Sequence, residues 1–377
     1  QVLPSAKHFP GHGDTDVDSH HDLPIINHSY QRLDSLELLP FREMINNGVW
    51  GVMAAHLSVP ALEPRPNRPT SLSRPTITGL LRDTLGFDGL IFTDGLEMKG
   101  VTKHFKPGEV EAEALLAGND ILLLPEDMGA AMKTIKSYIT SGKIDTAQVA
   151  NSVKRVLRAK YRLGLTSYTP LKLDSLRAEL NHYSVVAQKR RLVNAAMTIV
   201  RNADSLLPIQ ELDSSFLASV SLGAASRTGF QNSLERYKHM DHFQMGKSPS
   251  AAERKKMVDL LKNRDLVIVG MHDMSAYAAR NFGISEEQKS FIRELNAVTK
   301  VVLTVFGNPY TLKYFDDIPW VLEAYEEDDI AQDVAAQALF GAIPVNGKLP
   351  VTASPAAAFG MGFETKGLLR LGYGLPE

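Results

Sequence analysis

The feature that most constrains this chain is an alternation along residues 1–165, in which short continuous apolar runs give way to stretches with helical spacing. The runs predict strands at 1–9, 48–54, 89–93 and 120–124, and helices at 33–47, 76–85 and 109–117. Runs that stay apolar at every position belong to strands of a parallel sheet with both faces covered. Counting the first strand, there are about four βα units, where a closed (β/α)8 barrel needs eight.

Two further helices are expected over 126–163, the second (146–162) stopped by Gly164. Residues 166–190, polar and carrying Ser-Tyr-Thr-Pro, read as a linker. A second series follows, with strands at 216–222, 266–271, 301–306 and 320–324 and helices near 250–262, 285–298 and 328–341. The expected organisation is therefore α/β throughout, with one unit over 1–165 and a second, an α/β sandwich, over 191–377. A chain of 377 residues accommodates both.

The net charge of −2 gives no electrostatic footprint for nucleic acid, and no run of roughly 18 apolar residues predicts a membrane span. The absence of cysteine excludes a disulfide scaffold, a zinc-thiolate site and a cysteine nucleophile. Phosphate-loop, serine-hydrolase and zincin motifs are missing as well. A small neutral ligand fits this balance best.

Chemistry concentrates in two places. Lys7-His8-Phe9-Pro10-Gly11-His12-Gly13-Asp14 runs on to Asp18-Ser19-His20 directly after the first strand, and in parallel α/β proteins the loops at strand C-termini carry the site. Three readings of the cluster stand: a solvated polar loop, a metal loop and an acid/base device. Asp14-x-Asp16-x-Asp18 resembles the start of a calcium loop, but Ser19 and Ile25 occupy positions that need Gly and Glu. His20, two residues from Asp18, has a side chain whose ordinary pKa lies near neutrality and which a carboxylate can orient. The second place is Asp94, directly after the strand 89–93 and followed by Gly95; it is either a functional carboxylate or a cap of the next helix.

Taken with Glu37-Leu38-Leu39-Pro40-Phe41-Arg42, Met53-Ala54-Ala55-His56 and Gly86-Phe87-Asp88-Gly89, these motifs resemble glycoside hydrolase family 3 in its β-N-acetylglucosaminidase branch. Ala117-Gly118-Asn119-Asp120 looks like the opening of the last strand of the family's barrel, and Gly347-Lys348-Leu349-Pro350-Val351 like a late loop of its second domain. The resemblance implies a partial (β/α)8 TIM barrel, about the last four βα units, followed by the α/β sandwich domain. It implies a retaining glycosidase acting on terminal β-linked N-acetylglucosamine of peptidoglycan- or chitin-derived sugars. Asp94 would be the nucleophile, His20 paired with Asp18 the acid/base, and Lys7 and His8 the residues that bind sugar hydroxyls. His56 would line the same pocket or pack as a structural histidine. No metal and no cofactor is implied.

The branch's β-glucosidase and β-xylosidase cousins are the alternative activity, and a non-catalytic sugar-binding module is the alternative class. One departure is Gly95, where many relatives carry Asp or Trp after the nucleophile. The larger one lies at the start: the family barrel has four more strands before the Lys-His motif, and this chain opens at Gln1. The N-terminal half barrel is expected from the same longer product or from another chain, and this chain alone is expected to be inactive or nearly so. By analogy only, the compartment would be the cell envelope or periplasm.

Overall fold

The computed structural model describes residues 2–15, 22–170 and 172–374, and the chain divides into two compact units, Gln1–Pro170 and Leu171–Glu377. The fold is α/β with parallel sheets. In the first unit, strands β1 (Ser5–Phe9), β2 (Gly51–Ala54), β3 (Leu90–Gly95) and β4 (Ile121–Leu123) lie side by side in chain order, all parallel. Each return is made by helical chain, mainly Leu39–Asn46, Pro75–Thr84 and Glu109–Ala117. One face of the sheet presents Ala6, Val52, Ala54 and Ile91 to Phe41, Ile77, Leu80 and Leu81 of the first two helices, a continuous apolar core. The opposite face, carrying Met53 and Phe92, is only half-buried, so the expectation of two covered faces does not hold for this sheet. The sheet is open among the described residues; it is not a closed barrel.

The second unit holds β5 (Thr198–Asn202), β6 (Leu217–Leu222), β7 (Asp241–Met245), β8 (Leu266–Met271), β9 (Lys300–Val305) and β10 (Trp320–Glu323) in the order β5-β10-β9-β8-β6-β7. Only β5 runs antiparallel to its neighbour. Here both faces are covered: Ile268 and Val302 enter one core with the helix Asp329–Leu339, while Val267, Val269, Val301 and Leu303 enter a second with Phe291 and Ile292 of the helix Glu286–Asn296. All six residues of β8 are buried, which explains its unbroken apolar run.

The expected linker 166–190 is corrected. It contains the helix Leu173–Leu180 and most of Tyr183–Ala196. The second of these is tied into the second unit by Arg190, whose guanidinium donates to Asp333 at 2.6 Å. Its polar sequence reflects exposure, since only Ala187 and Arg190 are buried along it.

Candidate active site

Parallel pairing brings the C-terminal ends of β1, β2 and β3 together, with Phe9 opposite Ala54 and Ala54 opposite Thr93. The residues at those ends are Lys7 and His8, then His56, then Asp94. The His8 Nε2 lies 3.8 Å from Asp94 Oδ2. Asp94 alternates with the buried Thr93 and so shares the half-buried face of Phe92; its side chain keeps 23% of its surface open. The Gly95 N–H donates to Asp94 Oδ1 at 2.9 Å, which leaves Oδ2 on the side of His8.

Burial lowers the His8 pKa below its ordinary value, the Asp94 carboxylate opposes that shift, and Lys7 and His12 reinforce it. His8 is therefore a neutral imidazole near neutral pH, able both to donate and to accept. Lys7 is exposed. Lys7 and His8 also border a cleft of about 580 Å³ whose other polar walls include His12, Asp14, Arg32 and Glu37. Asp94 is not part of that cleft's lining and adjoins it across His8.

Asp18 and His20 fall outside the described residues, but the two stems of their loop are inside. On the first, Gly11 turns back with its N–H on the His8 carbonyl, at a φ of +134° that favours glycine. Asp14 Oδ2 then accepts from His28 Nε2 at 2.6 Å and lies 3.7 Å from Arg32. Arg32 in turn grips both oxygens of Glu37 at 2.6 Å. Asp14, one of the three carboxylates of the calcium-loop reading, thus has a protein cation as its partner. On the second stem, Asp22 pairs with Lys103 at 3.2 Å, and backbone hydrogen bonds join Pro24 and Ile26 to Ser58. No group of three or more metal-ligating side chains occurs among the described residues.

His56 is not placed as a pocket residue. It is 1% exposed, with Nδ1 2.6 Å from Ser71 Oγ and Nε2 3.0 Å from the Gly95 carbonyl, so neither ring nitrogen is left for a ligand. Burial drives its pKa down to about 4, against smaller opposing effects of the Gly95 carbonyl and Asp94. Ser71 and Asn119, which complete these contacts, carry no sequence signal of a site role, although Asn119 lies in the Ala-Gly-Asn-Asp motif.

Residues 1–159 match the N-terminal domain of glycosyl hydrolase family 3. Beta-hexosaminidase A of Pseudoalteromonas piscicida is 34% identical over 229 residues, 56% of this chain and 38% of that protein. A beta-N-acetylglucosaminidase/beta-glucosidase of Cellulomonas fimi is 26% identical over an alignment spanning 93% of this chain and 66% of that protein. Among solved structures, a glycoside hydrolase family 3 beta-N-acetylglucosaminidase from Paenibacillus sp. str. FPU-7 is 31% identical with a TM-score of 0.72, over 93% of this chain and 67% of that one. The chain thus spans from 38% to two thirds of the length of these relatives.

Proposed function

The chain belongs to glycosyl hydrolase family 3, and from that premise we propose that it carries the catalytic carboxylate of a retaining β-N-acetylglucosaminidase. The observation that carries the reading is Asp94: a partly open carboxylate at the C-terminal end of a parallel strand, one oxygen held by the Gly95 N–H and the other facing His8. Asp94 Oδ2 attacks the anomeric carbon while the protonated His20 imidazole, oriented by Asp18, gives its proton to the departing glycosidic oxygen. A glycosyl ester on Asp94 results. His20, now neutral, takes a proton from water; the hydroxide formed attacks the same carbon, and Asp94 leaves as carboxylate. Lys7 and His8 hold sugar hydroxyls. Lys7 donates only, and neutral His8 can do either.

The substrate is a terminal β-linked N-acetylglucosamine of peptidoglycan or chitin origin, and the name of the Paenibacillus relative supports the sugar, N-acetylglucosamine. The sheet β1–β4 is one arc of a (β/α)8 barrel. Its strands follow one another without the order reversal of a doubly wound sheet, helices cover one face, and the site groups sit at the strand C-termini. β1 and β4 each keep an open edge among the described residues, which further strands would close. The second unit is the α/β sandwich of the same family.

The test is hydrolysis of an aryl β-N-acetylglucosaminide by the chain, with and without strands that close the arc. Asp94→Asn is expected to abolish turnover, and His20→Ala to lower it roughly 10²–10⁴-fold. Undiminished activity of Asp94→Asn overturns the assignment. The double name of the Cellulomonas relative makes an aryl β-glucoside the second substrate to compare. Faster turnover of the glucoside would transfer the reading to β-glucosidase.

A further inference from the structure

Beneath Asp94 runs a chain of buried polar groups that no step of the reaction uses. Asn119, fully buried, donates through Nδ2 to the carbonyl of Ser71 at 2.9 Å and to that of Ala114 at 2.7 Å. Ser71, also fully buried, has its hydroxyl 2.6 Å from His56 Nδ1. His56 Nε2 in turn lies 3.0 Å from the Gly95 carbonyl, and the Gly95 N–H is the donor that holds Asp94 Oδ1. A carbonyl oxygen only accepts, so His56 Nε2 must carry the proton; Nδ1 then has a lone pair, which the Ser71 hydroxyl fills. One tautomer satisfies every contact. Both polar groups of Gly95 are thereby taken, its N–H by the nucleophile and its carbonyl by His56 together with the Met98 N–H at 3.1 Å.

We propose that His56, held by Ser71 and Asn119, is a positioning residue: it fixes Gly95 so that the Gly95 N–H occupies Asp94 Oδ1 and Oδ2 is presented as the attacking oxygen. The role rests on Asp94 being the nucleophile and adds to it a choice between the two carboxylate oxygens. A carboxylate free to rotate presents either oxygen along two faces; one oxygen tied to a backbone N–H restricts it to one approach. The tie is only as firm as the backbone that makes it. Gly95 has no side chain to pack; pairing with Leu123 and the Met98 N–H hold its backbone from the strand side, and the hydrogen bond from His56 adds the restraint from the buried Ser71–Asn119 side.

Two measurements test this. In a long-range ¹H–¹⁵N correlation spectrum of the folded chain at neutral pH, the His56 ring is expected as the Nε2-protonated tautomer; an Nδ1-protonated ring or an imidazolium overturns the proposal without any assay of activity. In the active protein, His56→Leu, which cannot donate, is expected to lower kcat by roughly 10²-fold, the scale of a small misplacement of a reacting group. KM should stay within about threefold, because the sugar contacts of Lys7 and His8 are untouched, and His56→Gln, which keeps a donor, should recover about tenfold of the loss. Ser71→Ala, a smaller change that leaves the imidazole in place, is expected to lower kcat about tenfold at unchanged KM; it decides the matter if His56→Leu does not fold. Equal kcat in the Leu and Gln variants, or wild-type kcat in Ser71→Ala, overturns the positioning role. Asp94→Asn is run beside them: if it stays active the nucleophile assignment fails, whereas an inactive Asp94→Asn beside a fully active His56→Leu removes only the role of His56.

Discussion

His56 also has a thermodynamic signature. Burial holds its folded pKa near 4, below the ordinary 6.5, so the native state excludes a proton that the unfolded chain accepts. Stability from this group is therefore complete above about pH 6.5 and is lost progressively as the pH falls toward 4, by roughly 3 kcal/mol at most. Urea unfolding at pH 7.5 and pH 4.5 checks it: the stability gap between the wild type and His56→Gln should narrow by about 2–3 kcal/mol at the lower pH, and a constant gap would contradict it. The residue illustrates what is legible at this scale. Its place at the end of an apolar strand is plain in the sequence, as is that of Asp94. What separates a pocket histidine from a buried one is its two partners, Ser71 at 15 residues and Gly95 at 39 residues along the chain, and local spacing carries neither.

Among the elements, the opposite end of the same sheet is organised by Asp120, the residue before β4. Its fully buried carboxylate accepts from Arg82 and from Arg155 Nη1 at 3.2 Å, and from the backbone N–H of Ile91 at 3.0 Å. Arg82 also donates to the carbonyls of Phe87 and Gly89 at 2.7 and 2.6 Å. One carboxylate thus joins β3 and β4 to the helices Pro75–Thr84 and Thr146–Arg162. Removing it leaves Arg82, itself largely buried, without its counter-charge. Asp120→Ala should cost about 3–5 kcal/mol of unfolding free energy while leaving kcat per folded molecule unchanged, because the substitution lies at the strand N-termini, away from Asp94. A variant with wild-type stability, or one that loses kcat while fully folded, would contradict this. β8 was legible as a strand because both its faces are enclosed, and β3 because its apolar run Leu90-Ile91-Phe92 persists although one of its faces is only half-buried. β7 was not: it is an edge strand, Asp-His-Phe-Gln-Met, with one buried residue, and its sequence has no run to find. The exposed helices of 173–196 escaped for the same reason, a shortage of the apolar pattern that burial imposes.

At the scale of the molecule, the two units use different sheet orders built from similar alternations of strand and helix. The first runs straight through β1-β2-β3-β4, whereas the second steps from β6 outward to β7 and back across to β8, leaving β6 in the interior. Order of this kind depends on which strands pair over long separations, so the alternation announces α/β without distinguishing the two. Two buried ionisable groups, one in each unit, also respond to acid with opposite signs. Glu323, on β10, is fully buried; burial pushes its carboxyl well above the usual range, one oxygen accepts from the Tyr325 N–H at 2.8 Å, and the other has no partner among the described residues. The native state here keeps a proton that the unfolded chain releases above about pH 4.5, so the stability this group contributes is fully present below that pH and is lost as the pH rises toward its folded pKa. That is the reverse of His56 in the first unit. Glu323→Gln keeps a neutral, hydrogen-bonding side chain at all pH values. It should therefore stabilise the second unit increasingly above pH 4.5 and change little below it, while His56→Gln changes the pH dependence of the first unit only, and only below about pH 6.5. Amide hydrogen exchange followed across pH 4–8 reads the two units separately. A Glu323→Gln protein whose second unit keeps the wild-type pH dependence would mean that the carboxyl ionises in the fold with a partner, and would remove the opposition between the units.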